Sequence, residues 1–133
     1  MTNIPKSAIT PSRIAQIAVT VKDLPRAVRF YRDTLGLKFL FEVPPQMAFF
    51  DCGGVRLMIG IAEKPEFNHP ASIIYYHVDD MTATAQALKA KDVAFEGEPH
   101  MVAKMEKHDL WLAFIRDSEG NPVGLMSEVP RQG

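Results

Sequence analysis

Two stretches of this chain carry the same pattern at matching offsets, and this internal repeat restricts the fold more than any other feature. The first opens with Gln16-Ile17-Ala18-Val19-Thr20-Val21, continues into Asp23-Leu24, and closes with Asp51-Cys52-Gly53-Gly54 ahead of Val55-Arg56-Leu57-Met58. The second opens with Ile73-Ile74-Tyr75-Tyr76-His77-Val78, continues into Asp80-Met81, and closes with Asp117-Ser118-Glu119-Gly120 ahead of Val123-Gly124-Leu125-Met126. Two copies are too few to stack as a solenoid. The reading is one domain of two related modules, residues 12–62 and 71–128, with a connector at 63–70, an arm at 1–11 and a tail at 129–133. Function is expected in a cleft that the modules share.

Periodicity supplies the elements. Alternation over 14–21 predicts a strand with Ile17, Val19 and Val21 on one face and Gln16, Ala18 and Thr20 on the other. Asp23 is placed to cap a helix opened by Pro25, whose missing N–H costs nothing in a first turn. Ala27, Val28, Phe30, Tyr31 and Leu35 form its apolar stripe, and Gly36 stops it. Strands are expected at 37–42, 46–51 and 55–61, with turns at Pro44-Pro45 and Gly53-Gly54. The second module repeats the order. Its first strand turns Ile74, Tyr76 and Val78 one way and Ile73, Tyr75 and His77 the other, and Asp80 caps a helix over 81–91. Strands follow near 94–96, continuing past Pro99, then near 110–116 and 123–127. The fold class is α+β, two βαβββ modules.

Composition excludes several function classes. A formal net charge of −1 gathers no phosphate backbone, so nucleic acid is not an expected partner. The single cysteine, Cys52, permits no intrachain disulfide and suggests a reducing compartment. Neither a signal-peptide core nor a run of about 20 apolar residues is present, so the expectation is a cytoplasmic protein with no membrane partner.

The string Ile17-x-Val19-x-Val21-x-Asp23-Leu24-x-Arg26-Ala27-x-x-Phe30-Tyr31-x-x-x-Leu35-Gly36-Leu37, with Asp117-x-x-Gly120-Asn121-Pro122 near the end, resembles the vicinal oxygen chelate superfamily. That group includes glyoxalase I, bleomycin-resistance proteins, fosfomycin-resistance enzymes and extradiol dioxygenases. The resemblance spans roughly residues 12–128 and implies an open barrel or cleft built from paired modules, commonly in a homodimer. It also implies four metal-ligand positions on cleft-facing strands, which fall on Gln16, Met58, Ile73 and Gly124. Glutamine is a usual occupant of the first. Methionine prefers soft ions, and isoleucine and glycine side chains offer no donor, so no metal and no other cofactor is expected there.

The remaining cleft-facing residues describe a small-molecule site. Alternation directs Gln16, Arg56, Met58, Ile73, Tyr75, His77 and Gly124 to it, with Thr20 and Met126 beside them. Gly124 is expected to leave room. Trp111, with His100 or His108, is expected to cover the cleft from the long hairpin. His77, or His100 with His108, are the candidate proton-transfer groups. The leading reading is a protein that binds a small organic ligand, with metal-independent acid–base chemistry as an option. The alternatives are a metal-dependent lyase or dioxygenase with a displaced ligand set, and a drug-sequestering resistance protein without turnover. Gly53-Gly54 lacks the strand–loop–helix setting of a phosphate cradle and reads as a hairpin turn.

Overall fold

The computed structural model describes residues 14–44, 46–70 and 72–130. The expected arm at 1–11 and Pro45 of the expected turn lie outside the described residues. The first module contains β1 (Gln16–Thr20), α1 (Leu24–Arg29), β2 (Lys38–Val43), β3 (Met47–Cys52) and β4 (Val55–Gly60). The second contains β5 (Tyr75–His77), α2 (Met81–Ala90), β6 (His100–Lys104), β7 (His108–Arg116) and β8 (Pro122–Pro130). The fold is α+β, with two four-stranded mixed sheets ordered β1-β4-β3-β2 and β5-β8-β7-β6. In each, the first strand runs parallel to the last, β1 on β4 and β5 on β8, so the sequence repeat is a topological repeat. No helix among the described residues is long and apolar enough to cross a membrane.

The two helices start in the same way. The Asp23 carboxylate accepts the Arg26 N–H at 3.1 Å, and the Asp80 carboxylate accepts the Ala83 N–H at 3.0 Å. Each cap satisfies a backbone donor that has no partner inside its helix. Beneath α1, Val19, Ala48, Phe50, Leu57 and Ile59 pack with Ala27, Val28 and Tyr31 into one core cluster. Beneath α2, Ala113, Ile115, Val123 and Leu125 form the second with Met81 and Leu88. The open face of each sheet, opposite its helix, carries the alternate residues.

Three features depart from the sequence expectations. The helix of the first module continues past Arg29 as a π-helical turn over Phe30–Thr34, in which the Leu35 N–H donates to the Phe30 carbonyl at 2.9 Å. No strand forms at 94–96; a single bridge joins Phe95 to Ile115, and pairing resumes at His100. Gly97, at φ +80°, turns the chain there, and Pro99 brings no N–H to a ladder. Finally, β8 stays paired as far as Pro130, opposite His108, two residues into the expected tail.

The modules join through their helix sides. The Tyr31 phenol donates to Asp117 Oδ2 at 2.8 Å, and Asp117 Oδ1 accepts the Glu119 and Asn121 N–H groups, each at 2.8 Å. The Glu119 carboxylate accepts the Lys22 N–H at 2.8 and 2.9 Å and the Asp23 N–H at 2.7 Å, just ahead of α1. The Arg26 guanidinium donates to the Ser118 carbonyl. Ile74 and Tyr76 of the second module pack on the first cluster, while Phe30 and Leu35 of the first module reach the second. Burial, followed by the charge and hydrogen bond of Asp117, pushes the Tyr31 phenol far above its ordinary range.

Candidate functional site

On the open face of the first sheet, Gln16 Nε2 lies 3.9 Å from Met58 Sδ. In register, Gln16 stands beside Arg56 and Ala18 beside Met58, while Phe49 neighbours Met58 on the next strand. The Arg56 guanidinium sits 5.5 Å from the centre of the Phe49 ring, and the Phe49 and Phe41 rings are 4.7 Å apart. A bulge at Leu40 shifts the β2 register so that Phe41 and Phe49 stand opposite each other. The surface is aromatic and apolar around Phe41, Phe49 and Met58, with Gln16, Arg56, Asp51 and Lys38 in the neighbouring row.

On the open face of the second sheet, register places Tyr75, Gly124 and Phe114 in one row and His77, Met126, Leu112 and His100 in the next. Tyr75 fills the space that Gly124 was expected to leave open: a Cβ built on Gly124 would lie 2.5 Å from Tyr75 Cδ2. The ring also meets Phe114 edge-on at 5.8 Å. His77 is exposed, with Nδ1 3.7 Å from Asp79 Oδ1. Ile73 precedes β5, outside the paired strand, and is 43 % exposed.

His100 and His108 do not meet. His100 pairs with Leu112 and its Nδ1 lies 3.2 Å from the Glu98 carbonyl, whereas His108 pairs with Pro130 and its Nε2 is 3.5 Å from Glu128 Oε2. Four residues along β7 separate the two positions, about 13 Å at the usual strand rise. They form no dyad with each other.

Trp111 does not cover the open face. Its register partner is the buried Ser127, and it shares parity with the core residues Ala113 and Ile115, so the indole lies on the helix side, in a groove beside Met81 and Ala85. The pairing of β7 with β8 is unbroken from Arg116 to His108. Parity set by the core therefore runs unchanged to the hairpin and leaves the indole no route across the sheet.

The four positions that the superfamily's metal enzymes use do not fit a divalent ion here. Gln16 already faces the Met58 thioether, Ile73 has no donor, and the Gly124 position is filled by an aromatic ring. Among the described residues, no three His, Cys, Asp or Glu side chains gather as a metal-binding group. What the open faces supply chemically is hydrogen bonding from Gln16 and Tyr75, charge of both signs from Arg56, Asp51 and Lys38, and an imidazole at His77.

One further cavity, partly open to solvent, is lined mainly by residues that alternation places on the helix sides of the sheets. It has a volume of about 500 Å³ and lies between the modules, where Ile17, Leu57 and Cys52 of the first approach Tyr76, Leu88 and Leu125 of the second. It depends on how two modules dock, which periodicity within each cannot reveal.

Comparison with known proteins follows the same lines. A curated relative, an uncharacterized protein of Bacillus subtilis (strain 168) called YraH, is 26 % identical over 124 residues, covering 84 % of this chain and 94 % of that protein. A lactoylglutathione lyase from Agrobacterium tumefaciens is 26 % identical with a TM-score of 0.71, covering 90 % of this chain and 96 % of that one. A glyoxalase/bleomycin resistance protein/dioxygenase superfamily member from Sphaerobacter thermophilus DSM 20745, at 18 % identity, superimposes with a TM-score of 0.74 over 90 % of this chain and all of the other. The sequence model of that superfamily matches residues 13–125. With the repeated βαβββ topology, the paired helix caps and this match, the chain belongs to the glyoxalase/bleomycin resistance protein/dioxygenase superfamily.

Proposed function

We propose that the protein binds a small organic molecule between the open face of its first sheet and that of a second sheet, without a divalent metal at the superfamily's usual positions. The observation that carries this reading is the exposure of Phe41, Val43 and Tyr75, at 44, 47 and 45 %. These large apolar groups lie on open faces that the chain's own modules, joined through their helix sides, leave uncovered. A face of this kind, with Gln16, Arg56 and His77 set among apolar walls, suits a ligand with one or two polar groups. The faces meet when two chains associate, so the functional unit is a homodimer, and the lone cysteine suits a cytoplasmic setting. His77, held near Asp79, is the candidate for proton exchange.

A metal-dependent lyase is the second reading, favoured by the similarity to a lactoylglutathione lyase. It requires ligands that Met58, Ile73 and Gly124 do not supply. Native mass spectrometry of the purified protein, followed by a small-molecule screen, tests the proposal. A homodimer should bind ligands that Met58→Trp excludes while the fold is retained. Binding unaffected by Met58→Trp, or a monomer at high micromolar concentration with Phe41 still exposed, overturns it.

A further inference from the structure

The geometry points to a second ligand site, in the cavity between the modules, that takes an uncharged, largely hydrocarbon molecule bearing one carbonyl or ether oxygen. The walls are apolar side chains of both modules, among them Ile17, Leu57, Val78, Leu88 and Leu125. Among the described residues no Lys, Arg, Asp or Glu lines the cavity, so a phosphorylated, carboxylated or peptidic ligand would lose its hydration without compensation. Its volume of about 500 Å³ lies within the range of small-molecule sites.

The polar side chains on its walls are those of Tyr75, Tyr76, His77 and Thr84, with the Cys52 thiol. Tyr76 lies on the wall, and its hydroxyl forms no hydrogen bond within the described chain. Burial, and then the neighbouring Cys52 thiol, push this phenol upward, so it stays a protonated donor at any physiological pH. A phenol with no protein partner on a largely apolar wall favours a ligand that brings an acceptor. Cys52 is itself pushed upward by burial first and by Asp51 second. It therefore serves as a neutral wall and as a reporter, being the only cysteine in the chain. This site shares Tyr75 and His77 of the edge strand β5 with the open face of the second sheet, but Gln16, Arg56 and Met58 of the first sheet do not line it.

The test uses the full chain, with acetophenone as probe, ethylbenzene as its carbonyl-free counterpart, and N-ethylmaleimide to label Cys52. Acetophenone should bind saturably and slow Cys52 labelling. Ethylbenzene should bind about tenfold more weakly, the net worth of one hydrogen bond. Tyr76→Phe, which keeps the ring, should lower acetophenone to the level of ethylbenzene and leave ethylbenzene unchanged. Equal affinity for the two probes on the unmodified protein overturns the proposal without recourse to any variant. So does acetophenone that binds without slowing Cys52 labelling, since the probe then sits elsewhere. Gln16→Ala should leave acetophenone binding untouched; if it weakens binding, the probe sits on an open face, and this inference falls while the proposed function stands.

Discussion

The Tyr75 ring lies on the bare Cα of Gly124, with Cδ2, Cε2 and Cγ at 2.5, 2.8 and 2.9 Å from where a Cβ would project. Glycine in a paired strand usually weakens it, and here it admits an aromatic ring flat against the backbone. Gly124→Ala should drive the ring off the sheet and break its edge contact with Phe114. Because Tyr75 is half-exposed, it can swing into solvent, so the expected cost is about 1–2 kcal/mol, the lower part of the overpacking range. Thermal denaturation measures that cost. NMR should show the Tyr75 ring resonances losing the shift that Phe114 imposes, and unchanged resonances would contradict the contact.

Tyr31 and Asp117 form the buried hydrogen bond between the modules, at 2.8 Å. Tyr31→Phe should cost about 1.5–3 kcal/mol, the range for a hydrogen bond to a charged group. The variant should also respond differently to alkali. The Tyr31 phenol is raised by folding, so the unfolded chain sheds this proton at an ordinary tyrosine value near 10 while the folded chain keeps it. Stability contributed by Tyr31 is thus complete below about pH 10 and declines as the pH climbs further. Urea melts between pH 8 and 11 should show a steeper alkaline decline for the parent than for Tyr31→Phe. Parallel declines would mean that the group ionises freely when folded.

Phe50 and His77 separate core from surface. Phe50 is 0 % exposed, between Phe39 and Tyr31, so Phe50→Ala should lose about 3–5 kcal/mol through transfer and cavity terms. His77→Ala, on an exposed edge strand, should change stability by less than about 0.5 kcal/mol. Chemical denaturation of the two variants checks the contrast. A large loss at His77 would place that imidazole in the packing of the fold.

The donor set at Gln16, Met58, Ile73 and Gly124 predicts that protein purified without chelator carries substoichiometric transition metal, and that EDTA leaves its melting temperature unchanged. Elemental analysis and a paired melt decide this. One equivalent of zinc, nickel, manganese or iron, with a melting temperature that drops on chelation, would favour the metal-dependent reading.

Much of the architecture was legible because it is local. Val21-x-Asp23-Leu24 and Val78-x-Asp80-Met81 announce the same strand end and helix cap, and the structure realises both with carboxylate-to-backbone bonds. Alternation in β5 is likewise local, and Tyr76 turns to the helix side while Tyr75 meets Gly124. Trp111 departs from the rim that its chemistry suggests, because its place in the ladder is dictated by Ala113, Ile115 and Ser127. The strand at 94–96 failed because Gly97 and Pro99 interrupt pairing before a partner can extend it.

Caps and alternation act over a few residues, so the two modules, their helix starts and the parity of the strands flanking each helix follow from local pattern. How the modules meet does not. Tyr31 finds Asp117 across 86 positions of chain, and Glu119 reaches back to the amides of Lys22 and Asp23. Docking also leaves Phe41, Val43 and Tyr75 of the open faces exposed while Cys52 and Tyr76 share the cavity between the modules. The reason is physical: periodicity records which side of an element is apolar, whereas the docking of two preformed surfaces depends on their shapes and on the placement of single polar groups that no short-range pattern encodes.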